Sequence, residues 1–135
     1  MRILLVDDQS KIRSALRLLL EQEERMAVVG EVAKAEDLLA QAEAARPDVA
    51  LLDWELPGLQ AADHSTRFAS APRLLSDLRA RCPRLQVIAL SGRPEARQAA
   101  LAARVDAFVS KGDPAESLLQ TLRTITEGTK RGFHV

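Results

Sequence analysis

The chain has 135 residues, of which 47% are hydrophobic and 28% charged, a composition typical of one folded globular domain. Its 19 basic and 19 acidic side chains cancel, so no net charge attracts it to nucleic acid or to a membrane surface. No apolar run approaches the roughly 20 residues that span a bilayer, and the pair Asp7 and Asp8 comes too early for a signal peptide. With one cysteine and therefore no internal disulfide, we expect a cytoplasmic protein.

Short apolar runs alternate with stretches of helical periodicity along the whole chain. The five runs predict buried strands at residues 2–6, 26–32, 48–53, 85–90 and 106–109. Apolar residues three or four apart predict a helix after each strand, and these helices contain Leu16, Ala42, Leu75, Ala100 and Leu122. Regular alternation predicts an α/β domain, in which a parallel sheet is covered by helices on both faces.

Details of three helices are also predicted. Ser10 is placed at the N-cap of the first helix, and Gly128 at the C-terminal cap of the fifth. The fourth helix presents only a stripe of small side chains, which bury little area, so we expect it to be loosely held. That stripe consists of Ala96, Ala99, Ala100 and Ala103.

Polar residues follow four of the five predicted strands. They are Asp7 and Asp8 after the first strand, Asp53 at the end of the third, Ser91 after the fourth and Lys111 after the fifth. We expect them to converge, because the carboxyl ends of parallel strands share one edge of the sheet. Three carboxylates brought together require a cation, and oxygen ligands with room for water suit Mg2+. A lysine and a hydroxyl beside them suit a phosphoryl group, so Asp53 is predicted to be a nucleophile that forms an aspartyl phosphate.

These residues and their neighbours resemble the response-regulator receiver domains of two-component signalling, across residues 2–127. The matching stretches are the strand ending in Asp7 and Asp8, Leu-Leu-Asp53-Trp-Glu-Leu-Pro-Gly, Ala-Leu-Ser91-Gly, and Ala-Phe108-Val-Ser-Lys111. The local sequence around these motifs is most similar to that of receivers joined to helix-turn-helix output domains. The resemblance implies a flavodoxin-like (βα)5 sandwich with strand order 2-1-3-4-5. It places the receiver domain at residues 1–128, and residues 129–135 form a C-terminal tail or the start of a linker.

The resemblance also implies a role for each site residue. Asp53 accepts a phosphoryl group from a histidine kinase or a phosphotransfer protein, and Lys111 pairs with the phosphoryl oxygens. Ser91 and Phe108 are the switch hydroxyl and the switch aromatic residue. The implied ligands of Mg2+ are Asp7, Asp8, Asp53 and the backbone carbonyl of Glu55.

Phosphorylation then repacks the face formed by the fourth helix, the fifth strand and the fifth helix. That face is expected to contact a downstream protein or an output domain, and the resemblance also allows a phosphorylation-dependent dimer. With no basic stripe or recognition helix, no direct contact with nucleic acid is expected. Whether the chain acts alone or as the N-terminal part of a longer regulator stays open.

Two other functions remain as alternatives. One is a Mg2+-dependent phosphohydrolase with Asp53 as the nucleophile and Glu55 as the second acid, although that class's phosphate-binding features and cap domain are not found in the sequence. The other is a receiver-like module that binds partners without phosphorylation, and the complete set of acidic residues, lysine and hydroxyl argues against it.

Two features depart from the family pattern. Arg104 stands where receivers usually carry a glycine at the end of the fourth helix. A left-handed residue other than glycine costs about 1 kcal/mol, so we expect this helix to end differently. The segment of residues 60–72 is several residues longer than the usual connection, and we expect an exposed, mobile loop or an N-terminal extension of the third helix.

Overall fold

Five strands alternate with five α-helices in the computed structural model, which describes residues 1–59 and 71–131, with side chains described up to residue 125. A 3-10 turn at Ala35–Asp37 precedes the second helix. The strands are β1 Arg2–Val6, β2 Ala27–Val32, β3 Val49–Asp53, β4 Gln86–Ser91 and β5 Ala107–Ser110. The helices are α1 Ser10–Glu21, α2 Leu38–Ala45, α3 Ala71–Arg81, α4 Ala96–Ala102 and α5 Ala115–Arg131.

The five strands form one parallel sheet in the order β2-β1-β3-β4-β5. This confirms the expected fold class and strand order. The pairing of β1 with β2 shifts register between Ile3 and Leu4, which pair with Val28 and Gly30. A Cβ at Gly30 would come within 3.0 Å of Leu4 Cδ1, so a side chain there would crowd β1.

Helices cover both faces of the sheet and create two hydrophobic cores. All five residues of β3 are buried, because side chains on either face of this central strand meet a helix layer. Leu52 packs in the core formed with α2, α3 and α4, whereas Leu51 packs in the core formed with α1 and α5. Because the helices cover the two faces of the sheet, the carboxyl edge is formed by the residues at the strand ends.

The end of α4 differs from expectation. Arg104 adopts the left-handed conformation, with φ 72°, at the position where the resemblance implies a glycine. Its amide donates to the Leu101 carbonyl, and the Val105 amide donates to the Ala100 carbonyl, which together form a Schellman motif. The expectation that this helix ends differently is therefore wrong. Val105 and Ala100 share the same core, and their burial offsets the strain at Arg104.

Two predicted helix caps are also wrong. The N-cap of α1 is Gln9, since the Arg13 amide already donates to its carbonyl and Ser10 lies inside the helix. Gly128 does not end α5, which continues to Arg131. One glycine costs a helix only about 1 kcal/mol, too little to terminate it without further signals.

The alanine stripe of α4 is only partly buried. Ala100 and Ala103 lie in the core, while Ala99 is exposed. The loose attachment of α4 stays a prediction.

The long segment of residues 60–72 is described only in part. Ala71 and Pro72 belong to the first turn of α3, so they are not loop residues. The expectations for residues 60–70 fall outside the described residues. Among the helices that are described, none has the length and hydrophobicity needed to cross a membrane.

Candidate functional site

Three carboxylates meet at the carboxyl ends of β1 and β3. One oxygen from each of Asp7, Asp8 and Asp53 lies within 4.8 Å of the others. Asp7 and Asp53 are 2% and 3% exposed, whereas Asp8 is exposed to solvent. Burial strengthens the repulsion among these groups, so the cluster favours a cation.

The Asp7 carboxylate has one satisfied and one unsatisfied oxygen. Its Oδ1 accepts a hydrogen bond from the Gln9 amide at 2.8 Å. Its Oδ2 is buried and has no hydrogen-bond partner among the described residues. Burial, and to a smaller extent the charge of Asp53, raises the pKa of Asp7 above its usual value. A buried carboxylate oxygen without a donor fits a hard divalent cation such as Mg2+, which binds through oxygen ligands.

Lys111 joins the carboxylates from the end of β5. Its Nζ lies 2.8 Å from Asp53 Oδ1 and 3.9 Å from Asp7 Oδ2. Burial lowers the pKa of Lys111, but the hydrogen bond to Asp53 and the negative charges around it outweigh burial and raise the pKa. The ammonium group is therefore a permanent positive charge at neutral pH. The Lys111 amide also donates to the Ser91 carbonyl, which fixes this residue beside β4.

The segment after Asp53 is tied both to the carboxylate and to the next loop. The Glu55 amide donates to Asp53 Oδ1 at 3.0 Å, so this oxygen accepts bonds from Lys111 and from the backbone. The Glu55 side chain accepts a hydrogen bond from the Gly92 amide at 2.9 Å through Oε1. This link between the loops after β3 and β4 is not predicted by the sequence, which assigned a role only to the Glu55 carbonyl.

The two residues predicted to form the switch lie in neighbouring strands, Ser91 at the end of β4 and Phe108 within β5. Ser91 is fully buried, and its Oγ accepts from the Arg93 amide at 3.0 Å and donates to the Arg93 carbonyl at 3.3 Å. Phe108 is partly buried against the core that contains α4. The Ser91 hydroxyl therefore makes its hydrogen bonds within its own loop.

An open cleft of about 200 Å3 lies beside this loop. Its lining residues come from the segment after Asp53 and from the start of α4. They are Trp54, Glu55, Arg93, Glu95, Ala96 and Ala99. The cleft places the side chain of Glu55 next to the part of the molecule that carries Ser91.

One residue at the site is absent from the sequence predictions. Arg13, on α1, donates through a terminal nitrogen to the Asp7 carbonyl at 2.6 Å and through Nε to Glu31 Oε1 at 2.9 Å. The only signal in the sequence is its position six residues after Asp7, one turn into the helix that follows the strand. The sequence does not show which arginine of α1 reaches the Asp7 carbonyl, because Arg17 lies one turn further along the helix and also pairs with Glu31.

The family model of the response regulator receiver domain matches residues 3–123. This chain belongs to that family. The site described above thus lies in a receiver domain, and the expected family is confirmed. Asp7, Asp53 and Lys111 are among the residues on which the resemblance rests, and in the fold Lys111 forms ion pairs with both carboxylates.

The receiver is similar to several curated regulators. It is 28% identical over 131 residues to the transcriptional regulatory protein DesR of Bacillus subtilis, covering 95% of this chain and 59% of DesR. It is 30% identical over 129 residues to the DNA-binding transcriptional activator DevR/DosR of Mycobacterium tuberculosis, covering 94% and 55%. The chain therefore spans a little over half the length of these two relatives.

A shorter match involves an enzyme. Protein-glutamate methylesterase/protein-glutamine glutaminase 2 of Cereibacter sphaeroides is 46% identical over 56 residues. That match covers 42% of the receiver and only 15% of the enzyme.

Solved structures support the same fold. A LuxR-family two-component response regulator from Aurantimonas sp. SI85-9A1 superposes with a TM-score of 0.79 at 24% identity, covering 94% of this chain and 85% of the other. The receiver domain of AraT from Geobacillus stearothermophilus gives a TM-score of 0.76 at 22% identity, covering 97% and 96%.

Proposed function

We propose that this receiver is a phosphorylation switch whose acceptor is Asp53. The phosphoryl group comes from the phosphohistidine of a histidine kinase or of a phosphotransfer protein. The contact that carries the proposal is Lys111 Nζ at 2.8 Å from Asp53 Oδ1, beside the unsatisfied oxygen of Asp7. A positive charge at this distance holds the carboxylate in place, and it can also contact a phosphoryl group that is transferred to this carboxylate.

In the transfer, a carboxylate oxygen of Asp53 attacks phosphorus and forms an acyl phosphate. The bond from phosphorus to the donor nitrogen breaks, and its electron pair stays on the imidazole, which remains neutral by taking a proton from solvent. Lys111 offsets the negative charge that arrives with the phosphoryl group. Asp7, Asp8, Asp53 and the Glu55 carbonyl would hold Mg2+, which when bound supplies further positive charge to the phosphoryl oxygens.

The signal then passes to the face formed by α4, β5 and α5. A phosphoryl group adds about −1.5 to −2 units of charge and three strong acceptors at the strand ends. Ser91 exchanges its Arg93 partners for a phosphoryl oxygen, and Phe108 turns inward into the space that opens. The repacked face controls a downstream protein or an attached output domain, and a phosphorylation-dependent dimer is one form of that output. We propose a cytoplasmic setting for this exchange.

The two alternatives make different demands on the same residues. A phosphohydrolase needs Glu55 as a mobile acid, whereas its carboxylate accepts a hydrogen bond from the Gly92 amide. A module that works without phosphorylation needs neither Lys111 beside Asp53 nor a buried Asp7 oxygen without a donor. Neither alternative is favoured by an observation of its own.

The test is labelling by a small phosphodonor. The chain is incubated with Mg2+ and acetyl phosphate, and its intact mass is measured over time. We expect the gain of one phosphoryl group, none in Asp53→Ala, and normal labelling in Asp77→Ala, which removes a partly exposed carboxylate on α3. An unmodified wild-type chain, or labelling that survives in Asp53→Ala, would overturn the assignment. Steady turnover of a phosphomonoester would favour the phosphohydrolase instead.

A further inference from the structure

Among the residues that the structure describes, the Asp8 carboxylate has no side-chain partner to fix its direction. It is exposed, and it forms no hydrogen bond or ion pair with any residue that the structure describes. Its position relative to Asp7 therefore depends on the backbone, above all on the peptide that joins the two residues. A group that holds this peptide also holds the relative positions of two of the three clustered carboxylates.

Arg13 holds that peptide. Its guanidinium donates to the Asp7 carbonyl at 2.6 Å, and the Asp7 amide donates to the Val32 carbonyl at 2.9 Å, so both polar groups of the Asp7 backbone are engaged. The guanidinium is itself anchored, since its Nε donates to Glu31 Oε1 at 2.9 Å and its side chain is only 17% exposed. The chain of contacts runs from β2 through α1 to the carboxylates.

We infer that Arg13 is a positioning residue for the cation site, acting through the Asp7 carbonyl to hold Asp7 and Asp8 in the arrangement that binds Mg2+. This inference rests on the proposed function and goes beyond it by assigning a role to a residue that carries no ligand atom. Partners of this kind, which hold ligands without touching the ion, are commonly worth 10–100-fold in metal affinity.

Charge and positioning predict opposite effects at this residue. Arg13 is a cation near a cation site, so electrostatics alone makes its removal tighten Mg2+ binding. Positioning makes its removal weaken binding. Arg17 separates the two, since it is also on α1 and also pairs with Glu31, at 2.7 Å, but its remaining bond goes to Glu21 and not to the Asp7 backbone.

The experiment compares Arg13→Met with Arg17→Met. Both replacements remove one positive charge and keep an unbranched stem that suits a helix. Mg2+ affinity is measured by following the amide chemical shifts of the Asp7–Asp8 segment as Mg2+ is added, and thermal unfolding in EDTA reports on folding. The rate of labelling by acetyl phosphate is measured as a function of Mg2+ concentration.

We expect Arg13→Met to weaken Mg2+ binding about 10-fold, while Arg17→Met binds as tightly as wild type or slightly tighter. The Mg2+ concentration for half-maximal labelling rises by the same factor in Arg13→Met, and the rate at saturating Mg2+ stays unchanged. A general loss of structure would lower that saturating rate as well. Arg13→Gln is the second variant if Arg13→Met fails to fold, with the same expectation.

Equal Mg2+ affinity in the Arg13 and Arg17 variants, or tighter binding in Arg13→Met, overturns this inference and leaves the acceptor role of Asp53 intact. A loss of saturating rate in Arg13→Met also overturns it. A wild-type chain whose spectrum and labelling do not respond to Mg2+ overturns the magnesium part of the proposed function and this inference together.

Discussion

The two halves of the site are held together in different ways. The acidic half, consisting of Asp7, Asp8, Asp53 and Lys111, is joined by contacts between strands that are distant in the sequence, such as the 2.8 Å pair of Lys111 and Asp53. The predicted switch half, consisting of Ser91 and Phe108, is held locally at its hydroxyl, because both hydrogen bonds of the Ser91 hydroxyl are made to the Arg93 backbone. The acidic half already joins a carboxylate to Lys111, whereas the Ser91 hydroxyl would have to give up two hydrogen bonds before it could bind a phosphoryl group.

The acidic half is broken most completely at its lysine. We expect Lys111→Met to lower the rate of labelling by acetyl phosphate roughly 100-fold, because preorganised charge at a reacting group is worth factors of this size. The measurement is intact mass against time at saturating Mg2+. Lys34→Met is the control, since Lys34 is an exposed lysine after β2, at the same edge of the sheet. Labelling of Lys111→Met at the wild-type rate would mean that the lysine is only a structural partner.

A smaller effect is expected at Asp7, where function and stability conflict. Asp7→Asn should raise the free energy of unfolding without metal by on the order of 1 kcal/mol, because it removes a buried charge beside Asp53. It should also abolish the stabilisation by Mg2+. Denaturant unfolding in EDTA and in Mg2+ measures both. Asp8→Asn is the comparison, and in EDTA it should raise the free energy of unfolding by less, because Asp8 is exposed.

The stability difference between wild type and Asp7→Asn should depend on pH, because the pKa of Asp7 is raised, chiefly by burial. The folded state keeps the Asp7 proton to a higher pH than the unfolded state does. The contribution of Asp7 to stability is therefore fully present below its unfolded pKa and is lost as the pH rises through its raised folded value. In EDTA, the stability of wild type relative to Asp7→Asn should fall over that interval. A constant difference across acidic pH would contradict the burial of a charged Asp7.

The switch half is loosened by a change that leaves the acidic half intact. The Gly92 amide donates a hydrogen bond of 2.9 Å to the Glu55 carboxylate. Glu55→Ala removes this acceptor. We expect exchange of the Gly92 amide hydrogen to become about fivefold faster, in line with a hydrogen bond worth about 1 kcal/mol. Native-state hydrogen exchange measures this. Glu95→Ala is the control from the same cleft, and equal acceleration in both variants would show that the contact does not hold the loop.

The smallest expected effect concerns the strained end of α4. Arg104→Gly should raise the free energy of unfolding by a few tenths of a kcal/mol, since relief of left-handed strain exceeds the added entropy of the unfolded glycine. Arg46→Gly tests a second described residue with a left-handed backbone, φ 48°, which ends α2 away from the predicted switch half. Denaturant unfolding compares the two. A loss of stability in Arg104→Gly would show that the arginine side chain contributes more than the strain costs.

The acidic half was accessible from the sequence because parallel strands deliver their ends to one edge. Once the strand ending at Asp53 and the strand before Lys111 are recognised, the topology brings them together, and the 2.8 Å contact follows. The same reasoning placed Asp7 correctly beside them. Strand periodicity is a property of neighbouring residues, and so it can be read without the fold.

The links made by long side chains were not accessible in this way. Arg13 reaches the Asp7 carbonyl, and Glu55 reaches the Gly92 amide, through several rotatable bonds whose directions depend on packing by distant elements. The sequence does not distinguish Arg13 from Arg17, although only the first contacts the Asp7 backbone. The sequence likewise does not predict that the Ser91 hydroxyl bonds the Arg93 backbone.

Trp54 is the only tryptophan of the chain, and the sequence contains no tyrosine. It directly follows Asp53, is 4% exposed, and also lines the cleft beside the loop that follows Ser91. Its backbone amide donates to the Leu90 carbonyl at 2.8 Å, so it is attached to the strand that ends in Ser91. The receiver thus contains a single tryptophan fluorophore, at the boundary between the two halves. Its emission offers an optical signal, without any added label, for ion binding on one side and loop rearrangement on the other.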